Sequence, residues 1–356
     1  MMENNIPQYP APYAAMAMQL TAMSVEKCAD KKAAQQQILA MIDALQPKIA
    51  SSAMFITQYC GLPVKLAVLP EYLFTSYPGK ISIPDFAAKA GFDMQGAEYD
   101  ALGKVAQNLG IYLSGNAYEI DPNFPDLYFQ ASFIISPSGD LIHRYRRLIS
   151  IFAPTPHDVW DKYVDIYGMD GVFPVAKTGI GNLATIASEE ILYPEIARAL
   201  AMRGAEIFCH SSSEIGSPLT TPKAIARRAR AFENMSYIIS ANTAGVDKTA
   251  MPLASADGNS QFVDYKGKVQ AESNNGETFT AFGEVDITAL RAARARPAMT
   301  NALSRQANGL FADIYRDIEI RPSNGLMHVK DNIPDREYFM TKQEQAIQNL
   351  LKIMKE

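Results

Sequence analysis

The sequence predicts an α/β fold, in which short apolar strands alternate with amphipathic helices from residue 12 to about residue 295. Strand-length apolar runs such as residues 64–69 end at turn-forming residues, which is typical of buried strands. Between these runs, apolar residues recur at helical spacing, as in residues 30–46. Because no composition break or Gly/Ser linker interrupts the alternation, we expect one domain over residues 10–295 and a C-terminal extension over residues 296–356.

The first half of the domain is predicted to contain single strands, helices and a hairpin. Strands are expected at residues 13–20, 64–69 and 111–118, and helices at 30–46 and 96–109. The hairpin pairs residues 128–135 with 141–147 around a Pro-Ser-Gly-Asp turn, a composition that favours tight turns.

The second half repeats this pattern. Strands are predicted at residues 181–187, 205–210, 236–241 and 279–285, and a hairpin joins 260–265 to 268–272. Helices are predicted at residues 193–203 and 222–234, and Pro222 suits the first turn of the second one.

The C-terminal extension has a different character. Prolines and few strand signals mark residues 296–338, whereas residues 340–355 return to helical spacing. An apolar stripe on this last helix contains Ala346, Leu350, Leu351 and Met354. Such a stripe packs either on its own domain or on a partner subunit, and both arrangements remain open from the sequence.

Composition excludes several classes of protein. The chain is 48% hydrophobic and 20% charged with a net charge of −5, so neither a disordered chain nor a basic nucleic-acid-binding surface is expected. Three cysteines cannot form a disulfide framework, and the four histidines show no metal-ligand spacing. Because no secretory signal or membrane span is apparent, we expect a cytoplasmic protein that does not bind membranes.

Two motifs lie at the C-terminal ends of predicted strands, where α/β sheets commonly place chemistry. In Leu69-Pro70-Glu71-Tyr72, the Glu71 carboxylate is either a general base or a loop cap. In Tyr145-Arg146-Arg147, consecutive cations either stabilise an oxyanion or form an exposed basic strand end.

A third motif spans residues 181–206, where a strand enters a tight turn before a helix that begins near Pro194. This geometry presents Ser188 beside free backbone N–H groups at the start of a helix. The Ser188 hydroxyl is therefore either a nucleophile or a simple turn serine.

Together and in this order, the three motifs resemble the nitrilase, or carbon–nitrogen hydrolase, superfamily over roughly residues 10–295. Leu69-Pro70-Glu71 matches the family's Pro-Glu after an early strand. Tyr145-Arg146-Arg147 matches its Tyr-Arg-Lys, with Arg147 at the lysine position. Ser188 holds the position of the family's cysteine, six residues before Pro194-Glu195.

The resemblance implies a four-layer αββα sandwich and hydrolysis of nonpeptide C–N bonds in small amides, carbamoyl compounds or nitriles. It implies that no metal or organic cofactor is needed and that the catalytic residues are Glu71, Arg147 and Ser188. It also implies a homodimer or a higher homo-oligomer. The substrate would be selected by loops at residues 72–95, 148–170 and 211–222.

The departures from the family pattern bear on activity. A serine hydroxyl is much less acidic than a thiol, so Ser188 needs a strong and well-aimed base. His210 ends a neighbouring strand and is placed to approach Ser188. No Glu occurs between Leu148 and Ser188, where many family members have a second one, and Asp158 is a candidate substitute. Glu189 adds negative charge beside the expected oxyanion site, which opposes anion stabilisation.

We therefore expect Tyr72, Asp158, Glu189 and His210 to line the substrate site around the three catalytic candidates. One interpretation is a hydrolase with weak or changed activity. A second is an inactive binding or scaffold protein that retains the pocket, that is, a pseudoenzyme. A third is an engineered nucleophile mutant of an active enzyme, although several altered positions favour natural divergence.

Overall fold

The computed structural model describes residues 10–214, 221–256, 258–329 and 333–355. Its strands, in chain order, are β1 (Tyr13–Gln19), β2 (Thr21–Met23), β3 (Val64–Val68), β4 (Phe92–Asp93), β5 (Tyr112–Ile120), β6 (Tyr128–Ile135), β7 (Leu141–Arg146), β8 (Ala176–Thr178), β9 (Gly181–Ala187), β10 (Ile207–Ser212), β11 (Tyr237–Asn242), β12 (Gly245–Asp247), β13 (Gln261–Val263), β14 (Val269–Glu272) and β15 (Thr278–Val285). Its helices are α1 (Lys31–Cys60), α2 (Ile83–Ala90), α3 (Ala97–Leu109), α4 (Trp160–Val172), α5 (Pro194–Met202), α6 (Pro222–Asn234), α7 (Ile287–Ala295), α8 (Gly309–Asp317) and α9 (Arg336–Ile353).

Most strands belong to two sheets. The first has the order β15-β1-β3-β5-β6-β7, with β4 added beside β5, and the second has the order β14-β13-β11-β10-β9-β8. Strands β1, β3 and β5 run parallel at the centre of the first sheet, as do β9, β10 and β11 in the second. The carboxyl ends of these parallel strands therefore lie at one edge of each sheet.

The two sheets pack face to face, and helices cover their outer faces. The strands are therefore buried on both sides. Along β1, Ala15 and Ala17 pack against the second sheet in a cluster that includes Ile239. The alternate residue Met16 belongs to a cluster that includes Ile38 of α1. Since side chains alternate along a strand, one face meets the other sheet and one meets helices. The predicted four-layer αββα sandwich is confirmed.

Helix α1 is longer than the sequence predicts. Asp30 caps its start by accepting a hydrogen bond from Ala33 N at 2.8 Å, and it continues beyond the expected end at residue 46, with Pro47 inside it. Proline costs a helix one backbone hydrogen bond. The buried stripe nevertheless continues through Ile49 and Ile56, and this burial holds the helix together as far as Cys60.

Two of the loops expected to select the substrate contain helices. Helix α2 lies within residues 72–95, and α4 begins within residues 148–170 and ends just beyond them, at Val172. Gly168 in α4 has φ 61°, which breaks the helical repeat and hides the apolar periodicity from sequence inspection. Of the third loop, residues 215–220 lie outside the described residues.

The C-terminal extension is attached to the domain through the buried carboxylate of Asp158. Lys342 Nζ on α9 donates to Asp158 Oδ1 at 2.6 Å, and Tyr338 Oη donates to the same oxygen at 3.2 Å. Phe339 of α9 is buried, whereas the predicted stripe residues Leu350, Leu351 and Met354 are exposed. Docking of this stripe on a partner therefore stays a prediction. No described helix combines the length and apolar character needed to cross a bilayer.

We expect Asp158→Ala to lower the free energy of unfolding by about 3–5 kcal/mol, because it leaves the buried Lys342 amine without its counter-charge. The matched control is Asp313→Ala, which breaks a solvent-exposed pair with Arg316 and should cost less than about 1 kcal/mol. Urea denaturation of the three proteins measures both values. Equal effects of the two substitutions would contradict the anchoring role of Asp158.

Candidate active site

The structure brings the three predicted catalytic residues into one buried cluster. Glu71 follows β3, Arg147 follows β7 and Ser188 follows β9. Their exposed fractions are 0% for Glu71, 7% for Arg147 and 5% for Ser188. Two charged side chains and one hydroxyl are thus buried at strand ends, and buried charges of this kind are common at catalytic sites.

Glu71 and Arg147 face each other, with Nη1 3.6 Å from Oε1. Gln130 of β6 binds both: its Nε2 donates to Glu71 Oε1 at 2.7 Å, and its Oε1 accepts from Arg147 Nη1 at 2.6 Å. The other Glu71 oxygen, Oε2, accepts from Ser213 Oγ at 2.7 Å. Gln130 and Ser213 were not predicted from the sequence, and together they hold the carboxylate in one orientation.

Arg146, the neighbour of Arg147, serves a different purpose. Its guanidinium is buried and pairs with Glu119 at 2.9 Å and with Asp121. The alternative of an exposed basic strand end is therefore wrong, because both cations at the end of β7 lie inside the protein.

Ser188 occupies the tight turn that the sequence predicts. Its φ of 49° lies in the left-handed region, which is unfavourable for residues other than glycine. His210 Nε2 donates to the Ser188 carbonyl oxygen at 2.8 Å, and Nδ1 accepts from Ser240 Oγ at 2.8 Å. Burial, together with the Arg227 charge, holds the pKa of His210 well below its ordinary value, so the ring is neutral. His210 thus fixes the turn through the Ser188 backbone.

The side chain that contacts the Ser188 hydroxyl is Lys223, which sequence reasoning missed. Its Nζ lies 3.1 Å from Ser188 Oγ, 3.2 Å from Ser212 Oγ and 2.7 Å from the Ser213 carbonyl oxygen. Lys223 lies in the first turn of α6, where the preceding Thr221 accepts from Ala224 N at 3.1 Å. The Thr-Pro start of this helix was visible in the sequence and is the signal that could have found it.

Two other predicted residues border the cluster. Glu189 contacts Arg147 Nη2, so its charge is partly offset by the guanidinium. Tyr72 has φ 64° and stacks on Tyr118 with ring centroids 6.2 Å apart. Burial and the adjacent Glu71 raise the pKa of Tyr72, which keeps its hydroxyl protonated.

Asp158 does not lie where the sequence predicts. Its oxygens accept from Thr155, Tyr338 and Lys342, which places it in the anchor of the C-terminal extension. Sequence spacing identified it as the nearest carboxylate, but the partners that determine its role come about 180 positions later in the chain. Among the described residues, no group of three or more His, Cys, Asp or Glu side chains is arranged to hold a metal ion.

Glu190 is a buried carboxylate that supports the cluster from behind. Its Oε1 accepts from the backbone N–H groups of Leu148 at 2.8 Å and Ile149 at 3.0 Å, and Oε2 accepts from Tyr145 Oη at 2.7 Å. The Ile149 carbonyl in turn accepts from Arg147 Nε at 2.7 Å. Glu190 therefore fixes the segment that orients Arg147.

An αββα sandwich with a carboxylate and a cation buried at its strand ends is typical of the nitrilase class of folds. The family model for carbon–nitrogen hydrolases matches residues 14–295. This chain therefore belongs to the carbon–nitrogen hydrolase family, and the resemblance read from its three motifs is confirmed.

Curated relatives are distant in sequence. The chain is 26% identical to the formamidase of Helicobacter acinonychis over 189 residues, which are 52% of this chain and 53% of that protein. It is 25% identical to the omega-amidase NIT2-A of Xenopus laevis over 226 residues, 63% of this chain and 77% of the relative. The match to formamidase thus spans about half of that protein's length.

Solved structures match the fold over more of the chain. Nit3 of Saccharomyces cerevisiae has a TM-score of 0.59 at 20% identity and covers 82% of this chain and 96% of its own. A carbon–nitrogen hydrolase from Helicobacter pylori G27 has a TM-score of 0.62 at 19% identity, with coverages of 85% and 98%. At these identities the matches show a shared fold.

We expect the stability contributed by Glu190 to depend on pH. Burial raises the pKa of Glu190 to about 7, whereas the carboxyl of an unfolded chain titrates near its ordinary value of about 4.3. The folded protein therefore holds a proton that the unfolded chain releases, and this stabilisation is present at low pH and lost as the pH rises through about 7.

Glu190→Gln is the matched control, because its amide keeps the shape and does not titrate. The unfolding free energy of the unaltered protein relative to this variant should fall by an amount of order 3 kcal/mol between pH 4 and pH 8. Urea denaturation at several pH values measures the difference. A difference that does not vary with pH would mean that the three donors keep Glu190 ionised throughout.

Proposed function

We propose that this protein hydrolyses a nonpeptide C–N bond in a small amide, carbamoyl compound or nitrile, with Ser188 as the nucleophile. The observation that carries this proposal is the Ser188 hydroxyl in a left-handed turn, 3.1 Å from a lysine amine. Membership of the carbon–nitrogen hydrolase family and the amidases among its relatives support the class of reaction.

The reaction proceeds in two halves for an amide. Ser188 Oγ bonds to the carbonyl carbon, the C–N bond breaks, and the nitrogen leaves as ammonia or an amine after gaining a proton. Water then attacks the resulting ester on Ser188, releasing the acid and restoring the hydroxyl. We assign to Glu71 the role of accepting a proton from this water. Gln130 and Ser213 hold the Glu71 carboxylate in position.

Arg147 supplies fixed positive charge beside Glu71. Burial disfavours its charged form, but Glu189 and Glu71 outweigh this effect and hold the pKa of Arg147 above its ordinary value. Two of its nitrogens also donate to Ile149 and Gln130, so few of its N–H groups remain for a substrate. Because most of its N–H groups are already engaged, Arg147 is better suited to holding Glu71 than to binding an oxyanion directly.

The engagement of the Arg147 N–H groups also favours a second candidate function, a binding protein that keeps the pocket without turnover. If the cation at position 147 is fully engaged, an oxyanion gains little from it. The double variant Arg147→Lys with Ser188→Cys distinguishes the two functions. Amidase activity that appears only in this variant would support the binding protein.

For the hydrolase, we expect intact-protein mass spectrometry to detect an acyl adduct on Ser188 during incubation with an amide and nitrile panel. Hydroxylamine should remove the adduct, because it cleaves esters. Ser188→Ala should lower turnover by about 1,000-fold or more, the scale of loss when a nucleophile is removed. The exposed Ser51→Ala on α1 is the control and should retain full activity. A Ser188→Ala protein as active as its parent would end the proposal.

A further inference from the structure

Lys223 is held in a cluster of hydrogen-bond acceptors at the C-terminal end of β10. Its Nζ contacts three oxygens, those of Ser188 Oγ, Ser212 Oγ and the Ser213 carbonyl, at 3.1, 3.2 and 2.7 Å. One of these oxygens belongs to the proposed nucleophile. No other role for this amine follows from the family motifs in the chain.

The position of Lys223 disfavours its positive charge. It lies in the first turn of α6, and the N-terminal end of a helix carries partial positive charge. Burial lowers the pKa of Lys223 below its ordinary value. The guanidiniums of Arg227 and Arg147 lower it further, whereas the carboxylates of Glu71 and Glu214 raise it.

The hydrogen-bond geometry fits the amine both with and without its extra proton, because Nζ faces three oxygens and one of them belongs to a hydroxyl that can also donate. An uncharged lysine has two N–H donors and one lone pair, whereas the ammonium has three donors and no acceptor. The Ser213 carbonyl can only accept, and Ser212 Oγ can accept the second N–H. In the structure Nζ donates to Ser188 Oγ at 3.1 Å. Once the ammonium has lost a proton, its lone pair can face the same oxygen, and the Ser188 hydroxyl then donates along this contact.

The hydrogen bonds of the other bases near Ser188 run to groups other than its hydroxyl. His210 uses Nε2 for the Ser188 carbonyl and Nδ1 for Ser240, so neither nitrogen is left for the hydroxyl. The Glu71 oxygens accept from Gln130 and Ser213. Within the described part of the chain, the side-chain hydrogen bond to Ser188 Oγ comes from Lys223.

We propose that Lys223 is the general base that activates Ser188, so that the two residues form the nucleophile–base pair of this site. This inference rests on the proposed function in taking Ser188 as the nucleophile. As Ser188 Oγ bonds to the electrophilic carbon, the hydroxyl proton passes to the lone pair of Lys223. When the C–N bond breaks, the Lys223 ammonium returns that proton to the departing nitrogen.

The test uses a fluorophosphonate, which reports nucleophile activation without requiring amide turnover. Ser188 Oγ bonds to phosphorus, the P–F bond breaks, fluoride leaves and the proton passes to Lys223. The full-length protein is compared with Lys223→Met, Lys223→Arg and Glu71→Gln, and with the exposed Lys65→Met on β3 as control. The second-order rate of labelling at Ser188 is followed by mass spectrometry from pH 6 to pH 10.

We expect the labelling rate of the unaltered protein to rise with pH and to level off below the ordinary lysine pKa of about 10.4. Lys223→Met should lower the rate at least about 100-fold, the lower end of what a general base contributes. Lys223→Arg should lower it similarly, because a guanidinium keeps its proton. Glu71→Gln should move the rise in labelling to lower pH, because the Glu71 carboxylate favours the charged form of Lys223. Lys65→Met should match the parent.

Labelling of Lys223→Arg within threefold of the parent would overturn the inference, because charge alone would then suffice. Retained labelling of a folded Lys223→Met, or no labelling of the parent at any pH, would overturn it as well. Thermal melting checks folding, and if the Met variant does not fold, the Arg variant decides. Lysine-dependent labelling without turnover of any amide would refute the proposed function alone. Amide turnover that needs Ser188 but not Lys223 would refute this inference alone.

Discussion

The contact between the buried Glu71 carboxylate and the Arg147 guanidinium is the interaction on which the rest of the site depends. Charges taken out of water need both a counter-charge and hydrogen bonds to recover the lost hydration. A guanidinium has five N–H donors, two more than a lysine ammonium, so an arginine at this position requires additional acceptors. Gln130, the Ile149 carbonyl and Glu189 provide them. Arg147 and Glu189 therefore compensate each other's charge: Glu189, which the sequence predicts to oppose an oxyanion, pairs with Arg147 in the structure.

Much of the sandwich could be predicted from local patterns, because each strand and helix buries its own apolar face. The strand at Gly181–Ala187 and the helix at Pro222–Asn234 have the predicted bounds, since turn residues and a proline mark their ends. The pattern fails where tertiary burial outweighs a local signal. Helix α1 continues through Pro47 because its stripe stays buried, and α4 is hidden by the interruption at Gly168. The first outcome depends on packing against residues distant in sequence, and the second on a single residue inside the helix.

The site also contains some residues that could be predicted from the sequence and others that could not. Glu71, Arg147 and Ser188 could be found because each lies at or just after the C-terminal end of a predicted strand, where α/β sheets commonly place chemistry. Lys223 could not be found in this way, because a long flexible side chain reaches the site from a helix rather than from a strand end. Asp158 illustrates the converse: proximity to the motifs in sequence predicted a substrate contact, whereas Lys342 from the distant C-terminal extension binds its carboxylate.

The proposed pairing of Ser188 with Lys223 also accounts for the charge that develops when a serine attacks a substrate. With a neutral Lys223, attack by the hydroxyl moves a proton to the amine at the same moment that the substrate oxygen gains a negative charge. The new cation thus arises beside the new anion and the net charge of the cluster does not change, which limits the electrostatic cost in a site shielded from water. A cysteine nucleophile ionises more readily and has less need of such a neighbour. In the proposed mechanism, the serine at position 188 and the lysine in contact with its hydroxyl are therefore parts of one arrangement, in which the proposed base lies on α6 and Arg147 holds Glu71.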